Sequence, residues 1–265
     1  MTRVRRVLAV TLALTVLRLP VAVLMQALLP DISVAPVANY VALLMQSMFM
    51  FGLPGVLLMG REKPAAAPAK AWLGWAAVCI AGALLARAVA TPLNGWWSTL
   101  LGAKPTAIPA AGDAAVLVLQ VLALAVIPAI AEELFFRGAL LTALEERCPR
   151  WQATAVTTLV FALMHGSLAG LPGHLLISLL LTLLMQHTGR VIIPVAAHLL
   201  FNLSALCWPE LPAAAPFVCG LALCALMGWL VARSPRGTEE RLPAGEMLLC
   251  GTILLLQTVQ YLLQM

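Results

Sequence analysis

Residues 127–141 read IPAIAEELFFRGALL. Two adjacent carboxylates and an arginine stand inside a run that is otherwise as apolar as lipid. Ionised groups are costly in hydrocarbon, so a chain that places Glu132, Glu133 and Arg137 there has a use for them. The run continues on both sides, from Ala114 to Leu144, and is long enough to cross a bilayer as a helix.

The whole chain shares this character. Of 265 residues, 62% are hydrophobic and only 10% are charged, and the mean hydropathy is +0.99. Soluble domains carry about 25% charged residues, which excludes that class. The expectation is an all-α polytopic membrane bundle, because helices satisfy their own backbone in lipid. Candidate spans are Val7–Leu29, Val37–Met59, Ala71–Ala90, Ala114–Leu144, Trp151–His165, His174–Met185, Val191–Cys207, Pro216–Ala232 and Met247–Leu263. They predict eight to nine transmembrane helices in one membrane domain over residues 1–265. The basic, apolar start resembles a signal peptide, but its apolar part is too long and no small-residue cleavage site follows. It reads as an uncleaved first span.

Loop charges test this layout. With the N-terminus cytoplasmic, Arg3, Arg5, Arg6, Arg61, Lys63, Lys70, Arg147, Arg150, Arg190, Arg233, Arg236 and Arg241 fall on one side. The opposite loops hold only Lys104, and Arg18, Arg87 and Arg137 are inside spans. Such alternation predicts an N-in topology and accounts for the net charge of +5 without a nucleic-acid partner. The six cysteines form neither a CxxC pair nor a zinc spacing, and most read as small apolar packers.

The polar residues inside the spans carry the chemistry. Glu133 and Arg137 are one helical turn apart and can pair on one face. Glu132 points ~100° away and needs another partner. Phe161 and His165 share a face of the fifth span, and His198 and Asn202 share one in the seventh. His174 and His187 fall at span ends, where the interface explains them. Glu132 and His165 lie about equally far from the turn at Cys148–Pro149, ~25 Å along their helices, whereas His198 is only ~13 Å from the turn near Gly189. The levels agree if the tip LEERCPRW projects a turn or two from the membrane.

A Glu and a His together suggest a base acting on water. A His and an Asn suggest donors to a developing oxyanion, and the combination is that of amide hydrolysis without a covalent intermediate. No GxSxG is present, and Asp31 and Asp113 lie at span ends, so neither a serine nucleophile nor an aspartyl dyad is supplied. Other uses of these residues remain open. His165, His198 and a Glu could ligate zinc, although HExxH is absent. Intramembrane Glu and His could relay protons in a transporter, or the chain could be a non-catalytic immunity or scaffold protein.

EELFFR, FALMH and HLLFN occur in that order on three spans. They resemble the motifs EExxxR, FxxxH and HxxxN of the CAAX-protease and bacteriocin-processing (CPBP, or Abi) family of glutamic-type intramembrane endopeptidases. The resemblance covers about residues 114–206. It implies that Glu132 is the base on water with His165 beside it, that His198 and Asn202 form the oxyanion site, and that Glu133 and Arg137 hold the helices while Phe161 packs the site. It implies no metal and no cofactor, and a cavity open to the cytoplasm or the membrane. The expected partners are the lipid bilayer and a membrane-embedded or membrane-anchored peptide or protein, in a bacterial inner membrane.

Overall fold

Asp113 opens the helix that bears the acidic motif, its side chain accepting the Val116 N–H at 2.9 Å. At the other extreme, Gly189 closes a helix with φ 66°, its N–H donating to the Met185 carbonyl at 2.7 Å, a left-handed geometry that favours glycine. Between such signals the computed structural model describes residues 2–60, 69–103, 110–208, 211–212, 214–233 and 240–263. Arg61, Lys63, Lys104 and Arg236, used above for loop charge, lie outside the described residues.

The described residues form nine helices and no strand. They are α1 Arg3–Leu28, α2 Pro36–Leu58, α3 Ala69–Leu101, α4 Ala114–Glu145, α5 Arg150–Met164, α6 Leu171–Thr188, α7 Ile192–Leu206, α8 Ala215–Arg233 and α9 Ala244–Leu262. Seven are long and apolar enough to cross a membrane, and α7 is a shorter apolar helix. The chain is an integral membrane protein. α5, with 15 residues, reaches only ~22 Å, less than the ~30 Å of a hydrocarbon core.

The third span departs from expectation. The sequence predicts a span over Ala71–Ala90, and α3 continues beyond it, through Pro92 to Leu101. A proline inside a helix is tolerated in a membrane bundle; beside it, Thr91 Oγ1 donates to the Arg87 carbonyl at 3.0 Å.

Two ends of the bundle can be distinguished. The near end carries the start of α1. There Arg3 pairs with Glu146 and donates to Thr142 Oγ1 at 2.7 Å, and Arg5 lies 3.4 Å from Glu246. The far end carries the α5–α6 and α7–α8 connections. Trp97 Nε1 donates to the Leu168 carbonyl at 3.1 Å, and Tyr261 donates to the Ser167 carbonyl. α1 is built into the bundle through α9: Gln260 Nε2 donates to the Thr15 carbonyl at 2.8 Å and Gln257 Nε2 to Thr15 Oγ1 at 3.3 Å.

α2 and α4 are not regular. α2 contains a π-helical stretch at Met48–Gly52, just before Pro54. α4 contains two, Leu122–Val126 just before Pro128, and Leu134–Leu141. A proline lacks the N–H that a regular helix would use, and a widened turn ahead of it redistributes the bonding. The carbonyls around Gly138 find other donors: the Gly60 N–H at 2.9 Å and Thr142 Oγ1 at 2.6 Å. Gly55 lets α2 lie directly on this stretch. A Cβ there would stand 2.8 Å from the Phe135 backbone nitrogen.

Candidate active site

Each residue of the acidic motif is aimed by the helix that carries it. Between the two π-helical stretches of α4 lies a seven-residue α segment, Ile127–Glu133, ending on the two carboxylates. Their directions diverge as helical geometry requires. Glu133 turns into the bundle, 0% exposed, and Glu132 lines a cavity.

Glu133 is held from two sides. Its Oε1 accepts from Arg137 Nη1 at 2.7 Å and from His198 Nδ1 at 2.8 Å. Arg137 is itself fully buried, and its Nη2 donates to the Ser178 carbonyl at 2.9 Å and to Ser178 Oγ at 2.8 Å. One buried network thus ties α4, α6 and α7 together. The i+4 pair follows from the sequence. The His198 bond, 65 positions away, does not.

His165 caps α5. Its Nδ1 lies 2.9 Å from the Phe161 carbonyl, an acceptor, so Nδ1 carries the proton and Nε2 is left facing Glu132 Oε2 at 3.5 Å. The ring looks into the cavity, with its side chain 24% exposed. Phe161 is buried at the centre of the group. Its ring centroid is 4.5 Å from that of His165 and 5.7 Å from that of His198, and the Arg137 guanidinium sits 4.6 Å above it.

The cavity has a volume of about 1090 Å³. Glu132, Phe161, His165, His198 and Asn202 all line it, so the predicted residues from three spans do converge. Glu133 and Arg137 stand behind it.

Among the other polar residues that line the same space, His174, Arg87 and Asn94 were not expected there. His174 was assigned to the interface, but its ring stacks on His165 with centroids 4.1 Å apart and planes 28° apart. The GLPGH turn returns α6 tightly beside the end of α5, which brings the first turn of one against the last of the other. Arg87 lines the cavity, its Nη2 donating to the Phe201 carbonyl at 2.7 Å and its Nε to Ser204 Oγ at 3.0 Å. Asn94, also in the wall, accepts the Gly173 N–H at 2.8 Å and so ties α3 to the start of α6.

The levels of the motifs agree, since Glu132, His165 and His198 line one cavity. Near the Gly189 turn, Gln186 Nε2 donates to Glu145 Oε1 and to Thr154 Oγ1, each at 2.9 Å, and its carbonyl accepts from Arg150 Nη1 at 3.1 Å.

Alternative chemistries have little to work with. All six cysteines are free thiols. Burial, and next the neighbouring Glu145, push the Cys148 thiol up to about 11, so that turn offers no thiolate. Among the described residues no three His, Cys, Asp or Glu side chains converge as a metal-ligand set.

Residues 114–204 match the family described as "Type II CAAX prenyl endopeptidase Rce1-like", nearly the stretch over which the three motifs were recognised. Neither the comparison with curated proteins nor that with solved structures gives a match. The matched stretch runs from the start of α4 nearly to the end of α7 and contains every motif residue named above. Over these residues the chain is a Rce1-like domain of the type II CAAX prenyl endopeptidase family, a family of proteases, set within an integral membrane protein of many spans.

Proposed function

We propose that this protein is an intramembrane endopeptidase in which Glu132 and His165 activate a water molecule and His198 and Asn202 receive the developing oxyanion. The observation that carries the reading is the juxtaposition of Glu132 Oε2 and His165 Nε2, 3.5 Å apart on the wall of the cavity. The carboxylate oxygen accepts, and with Nδ1 protonated the imidazole Nε2 accepts too. A water seated on the cavity side of the pair donates to both and turns its lone pair towards the substrate carbonyl. As it attacks, its proton passes to Glu132, which then delivers it to the leaving amine.

His198 lines the same cavity, with its ring 5.7 Å from that of Phe161. A carboxylate only accepts, so His198 Nδ1 donates to Glu133 and Nε2 is left for the substrate. Nε2 donates to the oxyanion when the ring is an imidazolium, with Glu133 as its counter-charge and Asn202 Nδ2 as the second donor. Glu133 and Arg137 position this ring and do not touch the substrate. No step calls for a metal.

The substrate in this reading is a membrane-embedded or membrane-anchored peptide or protein. The near end of the bundle faces the cytoplasm, in keeping with twelve basic residues against one in the connections, and the membrane is the bacterial inner membrane. The nine helices act as one unit around the matched core.

The test is cleavage by purified protein and by membranes from producing cells. Glu132→Gln and His165→Ala abolish processing while expression and insertion stay normal. Asn202→Ala lowers the rate by about 10²–10³, the usual effect of losing one oxyanion donor. Processing at the wild-type rate by Glu132→Gln would remove the carboxylate from the reaction.

A further inference from the structure

The position of the cavity along the bundle bears on which side of the membrane supplies the substrate. α5 is too short to span, and its end is recessed. Arg18, ~22 Å up α1 from Arg3, reaches the Leu163 and Met164 carbonyls at 3.4 Å. The α5–α6 turn, with its Ser167, Ala169 and Gly170, therefore lies below the level of the far surface and lines the cavity. Thr91 and Asn94 in α3 line the wall beside this turn, Asn94 through its bond to the Gly173 N–H, and Trp208 and Leu211 carry the lining into the α7–α8 connection at the far end.

Towards the near end the way is closed. Phe136, Leu140 and Leu144 descend α4 from the site, and Leu180, Leu181 and Leu184 face them from α6, each 0% exposed. The separate depression at the near end, around Arg3, Glu146 and Gln186, shares no lining residue with the cavity. The near end is also the basic one. Among the described residues, nine Lys and Arg fall in its connections or helix ends, from Arg3 to Arg241, and none at the other. The positive-inside rule makes such an end cytoplasmic.

We infer that the cavity opens to the non-cytoplasmic side of the membrane, and that the bond cut belongs to a polypeptide segment standing on that side. The family resemblance had suggested an opening to the cytoplasm or the membrane; the buried layer beneath Glu132 rules out a passage from the cytoplasmic end. The part concerning the substrate rests on the peptidase reading given above; the direction of opening rests on the cytoplasmic orientation of the near end and not on that reading.

Labelling with a membrane-impermeant sulfonated maleimide separates the two. Cys207 is exposed beside the cavity-lining Trp208, and Thr91→Cys, placed in a Cys207→Ala and Cys219→Ala background, puts a thiol on the wall itself. Both positions are labelled in intact spheroplasts and lose that labelling in inverted vesicles. Labelling in inverted vesicles alone overturns the inference and leaves the peptidase reading standing. For the substrate, peptides released from membranes with wild-type protein are compared with those from Glu132→Gln. Peptides that depend on Glu132 map to non-cytoplasmic segments; cut sites in cytoplasmic segments would overturn the assignment. A complete lack of Glu132-dependent peptides would instead count against proteolysis itself, with the labelling still deciding the opening.

Discussion

The Glu133 carboxylate accepts the His198 Nδ1–H at 2.8 Å, joining the fourth helix to the seventh behind the cavity wall. Arg137 completes the network from the same helix as Glu133. Because all three are nearly or fully buried, removing one leaves an uncompensated charge or donor in a place water does not reach. Each of Glu133→Ala and Arg137→Ala is expected to cost about 3–5 kcal/mol. Removing both costs less than the sum of the two, which a double-mutant cycle on thermal unfolding in detergent will read.

The stack of His174 on His165 gives a second prediction. If its part is to hold the His165 ring in the plane that faces Glu132, shape matters more than basicity. His174→Phe then keeps most of the rate, and His174→Ala lowers kcat about tenfold, or ~1.4 kcal/mol, with little change in KM. Equal loss in both variants would assign His174 a polar task instead.

Gly55 is a test of packing. A methyl group at this position meets the backbone of Leu134 and Phe135 at 2.8–2.9 Å, and backbone cannot turn aside as a side chain can. Gly55→Ala should cost about 1–3 kcal/mol as an overpacked contact. Gly74→Ala, inside α3 with open space around its Cβ, serves as the control that does not lower the unfolding midpoint.

Metal dependence separates the water-activating carboxylate from a zinc site. Prolonged dialysis against a strong chelator leaves cleavage by the purified protein unchanged, and elemental analysis finds no stoichiometric zinc. Loss of activity that zinc restores would shift Glu132 from base to ligand.

Much of this architecture can be read from the chain before any coordinates. The nine apolar stretches correspond to nine helices because backbone in lipid has so few ways to bond itself. The EELFFR, FALMH and HLLFN motifs converge because i+4 spacing states which residues share a face, and shared faces point inward. What stays hidden depends on contacts between helices distant in sequence. No spacing rule connects His198 with Glu133, or indicates that His174 stacks on His165. Proline misleads too: Pro92 reads as a break, yet in a bundle α3 carries it and so supplies Thr91 and Asn94 to the cavity.

The two widened stretches of α4 bracket Glu132 and Glu133, and each acts as a local insertion in the helical phase. A residue added to or taken from a helix turns everything beyond it by ~100°. Glu132 therefore meets the cavity while Thr142, further along the same helix, meets Arg3 at the opposite end. Deleting a single residue from Leu122–Val126 or from Gly138–Leu141 would swing Glu132 out of register with one set of neighbours without altering any residue of the three motifs. For sequences resembling this one, an intact EExxxR, FxxxH and HxxxN is thus insufficient evidence of a competent site; the number of residues separating the EExxxR glutamates from Asp113 on one side and from Thr142 on the other must be preserved as well.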